Sequence, residues 1–565
     1  MISDNPAAAA PPGVATSPGL PAQRSRPTAP AAPVTPERRL PLPLLRAVAA
    51  GGGVALLVGV VWAVFLAGPV GDLSAQAAWS DFAARHPGAA YDFGWYGGIH
   101  PASYSLLTPY LMAALGVLPV AVAAATASGA LLAVLVARSP VRRPALVSAW
   151  GGLAMASDIV AGRATFAVGL AFALAAAVVA LPGPGRPARW PRLLAAGALA
   201  ALATLGSPVA GLFVEVLAAA LLLTRRRRLG LALALPPPVL VVGTSLAFPF
   251  GGVYPIPVST TIYTTLCALA VALLVPGRWR AVRIGAWLYA AGTLATTAVT
   301  SPIGGNVQRL GLLFGGVVLL GALCSEAWAA AGRWKRVALA LACALAMAWT
   351  VNADLRGNPS PPPAGTADGL LAELRARHAD QARVESVPRD DHWDAWRLLP
   401  TVELARGWNR QADVELNAAF YDGSLTADRY HDWLRKWSVR YVVLPNAKLD
   451  TAGKAEGKLV AARPSWLTEV WHDPHWTLFE FTDAQPMVDA PAVVDRADDG
   501  SVLLTVPAAG SVTVRVPWSP WLTVHGPAGA CLAQDGDWTR LTAAAPGQYR
   551  IDGRYSWPRG SACHG

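Results

Sequence analysis

The sequence predicts an all-α polytopic membrane domain followed by an extracytoplasmic α/β unit and a small β-sandwich. Three observations predict it. Only 14% of the 565 residues are charged and 54% are hydrophobic, where a soluble domain carries about a quarter charged. Apolar runs of membrane-spanning length fill residues 45–352, separated by short loops. Beyond residue 365 charge and tryptophan rise, and the pattern changes to short strands with Gly/Pro turns. The net charge of +11 is no nucleic-acid signal, because the arginines sit in loops between apolar runs.

Residues 1–44 are rich in Ala and Pro, with scattered Arg24, Arg26, Arg38 and Arg39. They bury too little apolar area to offset chain entropy and are expected to be a disordered cytoplasmic tail. The run Ala47 to Val70 reads as an uncleaved first span. After it, two kinds of loop alternate. Basic loops hold Arg138/Arg142/Arg143, Arg186/Arg189/Arg192, Arg225 to Arg228, Arg278/Arg280/Arg283 and Arg333/Lys335/Arg336, with no acidic residue. Gly/Pro/Ser loops lie around 158–163, 206–211, 248–257 and 300–309. The alternation places basic loops inside and predicts about eleven spans. The expected spans are 46–70, 118–137, 144–158, 164–182, 192–206, 209–224, 229–248, 258–276, 283–300, 310–328 and 337–352. The odd count puts a plasma-membrane protein's N-terminus in the cytoplasm and its C-terminal domains outside. Residues 103–115 are expected to lie at or dip into the outer face, with a pair of short extra spans as the alternative.

The first outer loop is the most informative segment. Asp72 follows the first span directly. Leu73, Ala77, Trp79, Phe82 and Ala83 recur as on an amphipathic helix lying along the membrane surface over 73–86. A Gly/aromatic turn follows from Asp92 to Gly98, then His100-Pro101-Ala102-Ser103-Tyr104. A carboxylate at the membrane boundary below a roofing helix suits a general base.

This arrangement resembles the first outer loop of GT-C-type glycosyltransferases, polytopic enzymes that use lipid-linked sugar donors. The matching pieces are Asp72, the helix 73–86 and the His100 to Tyr104 segment. Gly162-Arg163, Thr165-Phe166 and the run Ser301 to Leu310 stand in the other outer loops. The chain also looks like actinobacterial-type integral membrane proteins with a large C-terminal ectodomain. The resemblance implies a GT-C-like fold over about 45–352. It implies an inverting transferase moving sugar from a polyprenyl-phosphate donor to a cell-envelope glycan, lipid or protein. Membrane lipids are the other expected partner. A single Asp follows span one where the commonest family pattern has an adjacent acidic pair. A divalent cation is the one cofactor this leaves open; no metal ligand is assigned.

The expected catalytic residues are Asp72 and, as substitute, Asp92. At Asp72 helix capping is the competing role, and at Asp92 turn formation. Arg163 and Arg309 are basic residues in outer loops, against the bias. A guanidinium fork suits a donor phosphate; an ion pair of Arg163 with Asp158 is the alternative. His100, Tyr104, Asn306 and Gln308 are expected to orient substrate, with structural roles open for His100 and Asn306. Asp81 reads as the wet face of its helix. Glu215, inside an apolar run, favours a rival reading, a transporter or lipid flippase. A non-catalytic envelope scaffold is the third.

Residues 353–365 read as a linker, 366–485 as the α/β domain and 486–565 as the β-sandwich-like domain. Trp393, Trp396 and Trp408 are candidate aromatic platforms for an acceptor. Asp390-Asp391-His392 reads as a solvated loop. Cys267, Cys324 and Cys343 fall in expected spans, while Cys531 and Cys563 are disulfide candidates outside the membrane.

Overall fold

Each expected span carries an apolar helix in the computed structural model, which describes residues 41–181, 189–249, 251–329, 332–355, 365–399 and 401–563. The expected tail up to residue 40, Arg186, and residues 356–364 of the expected linker lie outside the described residues. The helices are Leu42–Val61, running on through a π-turn at Trp62–Leu66, then Val117–Ala137, Pro144–Val160, Ala164–Ala180, Trp190–Gly206 and Pro208–Leu223. Next come Arg227–Ala234 with Pro236–Ala247, then Val258–Leu274, Arg280–Ala298, Gln308–Leu323 and Arg333–Asp354. Among the described residues, five stretches are long and apolar enough to cross a membrane: Leu42–Leu66, Val117–Ala137, Arg227–Ala247, Gly304–Leu323 and Arg333–Asp354. The expected count of about eleven includes the shorter ones as well.

Large apolar side chains point outward from this layer. Leu57, Phe65 and Leu246 are 66%, 76% and 77% exposed. Water would penalise such a face, whereas lipid solvates it. Inside, three helices meet at glycines. A Cβ on Gly51 would stand 2.6 Å from the Gly129 carbonyl, and one on Gly152 only 2.1 Å from the Gly51 carbonyl. Backbones this close need small residues, as in other membrane helix pairs.

The stretch 103–115 holds a 3-10 turn at Pro101–Ser103 and one helix, Thr108–Leu115. Eight residues rise about 12 Å, far short of a bilayer core. Gly116, at φ 86°, then turns the chain into the next helix. Cys324 falls just past the end of Gln308–Leu323, not inside it as expected. The last helix runs on to Asp354, so Ala353 and Asp354 belong to it and not to a linker.

Two β units follow. The first is a five-stranded sheet in the order β2-β1-β3-β5-β4. It is built from β1 (Arg383–Ser386), β2 (Glu403–Leu404), β3 (Val439–Pro445), β4 (Leu467–His472) and β5 (Trp476–Phe481). β2, β1 and β3 run parallel, while β5 and β4 are antiparallel. Helices Asp368–Ala376, Ala427–Lys436 and Gly453–Ala461 accompany it.

The second unit packs two antiparallel sheets. One holds β6 (Val493–Asp498), β7 (Ser501–Val506), β12 (Gly547–Gly553) and β9 (Leu522–His525). The other holds β10 (Cys531–Asp535), β11 (Trp538–Ala543) and β8 (Gly510–Pro517). Alternate residues such as Val502, Leu504, Val514, Val516, Leu541 and Ile551 fill the space between them. Cys531 and Cys563 form a disulfide.

The loop of residues 71–104 is clasped by both β units. Ala90 N–H donates to Gly553 O at 2.9 Å, and Phe93 N–H to Asp499 O at 2.9 Å. Leu404 N–H donates to Gly94 O at 2.8 Å, and the Trp95 indole to Ala395 O at 3.0 Å. The helix Leu73–Arg85 is accordingly not laid bare on a membrane surface. It buries Ser74, Gln76 and Ser80 along with its apolar face, between the helical layer and the β units. Asp81 is exposed, as its expected wet-face position requires, and accepts a hydrogen bond from the Trp396 indole at 2.7 Å.

The glycine contact yields a test. Gly152→Val forces a side chain against the Gly51 backbone and is expected to cost about 1–3 kcal/mol. Thermal unfolding in detergent should show a lower midpoint, while Gly243→Val, with open space around its Cβ position, should change it little.

Candidate functional site

Two glycines set the geometry. Gly71 (φ 52°) ends the link from the first span, and Gly162 (φ 78°) turns between two others. A Cβ on Gly71 would lie 2.5 Å from Ala161 O, and one on Gly162 would lie 2.0 Å from Val70 O. Only bare backbone allows this approach. Each glycine is followed by a charge, so the contact delivers Asp72 and Arg163 to one place.

Gln76 locks the arrangement. Its Nε2 donates to Gly162 O at 2.9 Å and its Oε1 accepts from Ala164 N–H at 3.1 Å. Asp72 stands at the N-cap position of Leu73–Arg85, yet its side chain makes no capping bond. The carboxylate instead faces Arg309, with Nη2 to Oδ2 at 3.7 Å, and keeps 38% of its surface exposed. Capping therefore does not account for Asp72.

Arg163 is held differently. Its Nη1 donates to Asp354 Oδ1 at 2.8 Å and lies 3.5 Å from Asp158 Oδ1. Both carboxylates are fully buried. The expected Arg163–Asp158 pair is thus present, and it is extended by Asp354 from the last helix. Ser157 Oγ adds a longer contact of 3.4 Å to Asp354.

Arg309 follows the turn Gly304–Val307. That turn is pressed on Tyr254, whose carbonyl would stand 2.1 Å from a Cβ on Gly304. The Arg309 guanidinium lies over the Phe166 ring at 5.0 Å and faces Arg163, Asp72, Asp158 and Tyr254. Tyr104 completes the site. Its hydroxyl sits among Asp72, Gln76, Thr165 and Arg309, and its ring stacks on Trp79 at 6.1 Å. Asn306 is buried in the Gly304–Val307 turn, and Gln308 opens the helix that carries Arg309.

A roof comes from the α/β unit. The Trp408 indole donates to Gly71 O at 3.0 Å and lies flat on the His392 ring, 3.3 Å away at 9°. Trp393 instead packs on Trp476, and Trp396 on Asp81. Of the run Asp390 to His392, Asp390 is exposed and paired with Lys448 at 2.6 Å, as a solvated loop predicts, while Asp391 and His392 are buried. Arg389 grips Asp391 through two bonds of 3.0 Å, and His392 is buried.

Two expected site residues stand elsewhere. Asp92 is 3% exposed, accepts from Gly94 N–H at 2.8 Å and faces Asp499 in the clasp with the sandwich. Burial, reinforced by Asp499, raises its carboxyl well above the usual range. It is a turn-forming residue, because water-exposed geometry for an acceptor is missing there. His100 donates from Nδ1 to Ala90 O at 2.9 Å and meets Ser519 at 3.3 Å. Burial lowers its pKa. Its role is to join the loop to the sandwich. Glu215 also lies apart from the cluster, with Oε1 buried and without a hydrogen-bond partner.

The donor set does not fit a divalent cation. Asp72, Asp158 and Asp354 each face a guanidinium, and no group of three or more His, Cys, Asp or Glu among the described residues could hold a metal. Sequence reasoning missed Asp354, Gln76 and Tyr254. The signal for Gln76 was the polar run Ser74, Gln76 and Ser80 on a helix with an otherwise apolar face.

A profile for a domain of unknown function (DUF8823) matches residues 489–565. No curated protein sequence matches the chain. Two solved structures from Archaeoglobus fulgidus are similar to it. One is an oligosaccharyltransferase tethered by a disulfide bond to an acceptor peptide with the NVT sequon. It is 13% identical over 71% of this chain and 69% of that one, with a TM-score of 0.43. The other is the oligosaccharyltransferase AglB with an inhibitory peptide and a dolichol-phosphate. It is 12% identical over the same shares, also with a TM-score of 0.43.

The roof has a pH signature. Burial pushes the His392 imidazole down to about 4. The unfolded chain takes up this proton below about pH 6.5 while the folded chain refuses it. The stability from the neutral ring is therefore complete above about 6.5 and is lost as pH falls through 4, at most about 3 kcal/mol. Asn tolerates the left-handed backbone at this position. Unfolding of His392→Asn, followed from pH 7 to 4, should fall less steeply than that of the parent; parallel curves would contradict the assignment.

Proposed function

We propose that this chain transfers a sugar from a polyprenyl-phosphate carrier to a cell-envelope acceptor, on the membrane face that bears the β units. The observation that carries this reading is the meeting of Asp72, Arg163, Arg309 and Tyr104 in one cluster. These residues come from three separate loops. The positive-inside rule assigns that face to the outside.

The side chains divide the work. Arg309 contacts its carboxylate neighbour only at 3.7 Å, so its fork remains available for the carrier's phosphate. Arg163 is already engaged by Asp158 and Asp354. It is a positioning residue that adds positive potential. Asp72, partly exposed and not capping its helix, takes the proton from the acceptor hydroxyl. The oxygen then attacks the anomeric carbon, and the bond from that carbon to the phosphate oxygen breaks. The phosphate leaves with the electron pair, into the field of Arg309. One base and a direct displacement give inversion at the anomeric carbon. Glu215, half-buried with Oε1 buried and without a hydrogen-bond partner, is the observation that favours transport, but it lies outside this cluster.

The test is transfer by the purified full chain from a polyprenyl-phosphate sugar. Asp72→Asn should lower kcat by roughly 10²–10⁴, the usual share of a general base, with little effect on carrier binding. Arg309→Gln should raise KM for the carrier as well as lower kcat. Full activity in Asp72→Asn would remove the base from the scheme.

A further inference from the structure

The helical layer holds a second feature, at the end remote from the β units. A cavity of about 1010 Å³ opens between the helices, with a lining mostly of Leu, Val, Ala and Phe side chains. Its mouth is basic. Arg138, Arg226, Arg278 and Arg280 stand on its rim. Arg138 is fixed there by bonds to Val178 O at 2.9 Å and Leu181 O at 3.1 Å. Arg226, Arg278 and Arg280 are exposed, and none of the three makes an ion pair among the described residues. Among the described residues the carboxylate of this end is Glu326, which faces Arg142 at 3.9 Å.

Depth distinguishes the occupant. Along Gln308–Leu323 the lining runs from Gly321 near the mouth to Leu310. The eleven steps between them rise about 16 Å, roughly one leaflet of a ~30 Å hydrocarbon core. An apolar slot one leaflet deep beneath a ring of guanidiniums matches an acyl chain under a phosphate headgroup. The mouth also lies at the helix ends opposite the Asp72–Arg309 site, so the anion it attracts is not the one that site would hold. Basic pockets between membrane helices on the cytoplasmic side bind anionic headgroups in general.

We propose that this cavity is a binding site for one anionic phospholipid of the leaflet on the arginine side. Its phosphate rests among Arg226, Arg278 and Arg280, and an acyl chain fills the space between the helices. The assignment is independent of the transferase reading.

Native mass spectrometry of the full chain in detergent, mixed with equal amounts of phosphatidylglycerol and phosphatidylcholine, tests it. One phosphatidylglycerol should be retained, in roughly tenfold or greater preference. The triple variant Arg226→Gln/Arg278→Gln/Arg280→Gln should lose that preference, and the triple lysine variant should keep most of it, because charge at the rim is what binds. Gly285→Leu places a side chain into the lining, where a Cβ has room at 3.7 Å from Ala220, and should lower retention of both lipids. Should that variant fail to fold, the exposed arginines decide alone. Equal retention of the two lipids, an unchanged glutamine variant, or displacement of phosphatidylglycerol by an equal amount of dolichyl phosphate would overturn the proposal.

Discussion

Arg163 is the constraint on which the end of the helical layer facing the β units depends. Its guanidinium joins Asp158, near the end of one helix, to Asp354, at the end of the last one. Both carboxylates are removed from water, and neither is affordable there without a cation. Deleting the arginine would leave two buried negative charges beside one another. The pair also sets where the chain leaves the membrane for the β units, since Asp354 is the last residue of its helix. A charge that sequence alone suggests as a ligand-binding group thus serves first to hold the frame.

On that frame the loop of residues 71–104 acts as a wedge. Its start is fixed by backbone contact between Gly71 and Gly162 and by the two bonds of Gln76. Its middle is paired to both β units through Ala90, Phe93 and Gly94. Its end returns through Tyr104 to the same cluster. Because both ends and the middle are held, Asp72 is aimed at Arg309 without forming a cap. A preorganised carboxylate base beside a cation is the arrangement that the proposed displacement of a phosphate needs.

The legible part of this site was the set of residues that break a rule. Arg163 and Arg309 are basic where outer loops avoid basic residues, and Asp72 is acidic at a span's very end. Those anomalies need no tertiary structure to be seen. The apolar helices were legible for the same reason, through length and the alternation of loop charge. Asp354 was not, because the end of a helix before a Pro-rich run reads like the start of a linker. Asp92 and His100 were visible as unusual turn residues, but their partners, Gly94 with Asp499 and Ala90 with Ser519, come from pairings that no local pattern encodes. The cavity ringed by Arg226, Arg278 and Arg280 was also hidden. Loop arginines mark a membrane side in sequence, and only packing shows that these surround an opening.

The central claim is that Arg309 and Asp72 work on one substrate. Cryo-electron microscopy of the chain with a bound polyprenyl-phosphate sugar tests it most directly. The account predicts the phosphate within about 4 Å of the Arg309 guanidinium, with the anomeric carbon facing the Asp72 carboxylate across room for an acceptor hydroxyl. A phosphate bound away from Arg309, or a sugar turned from Asp72, would contradict it.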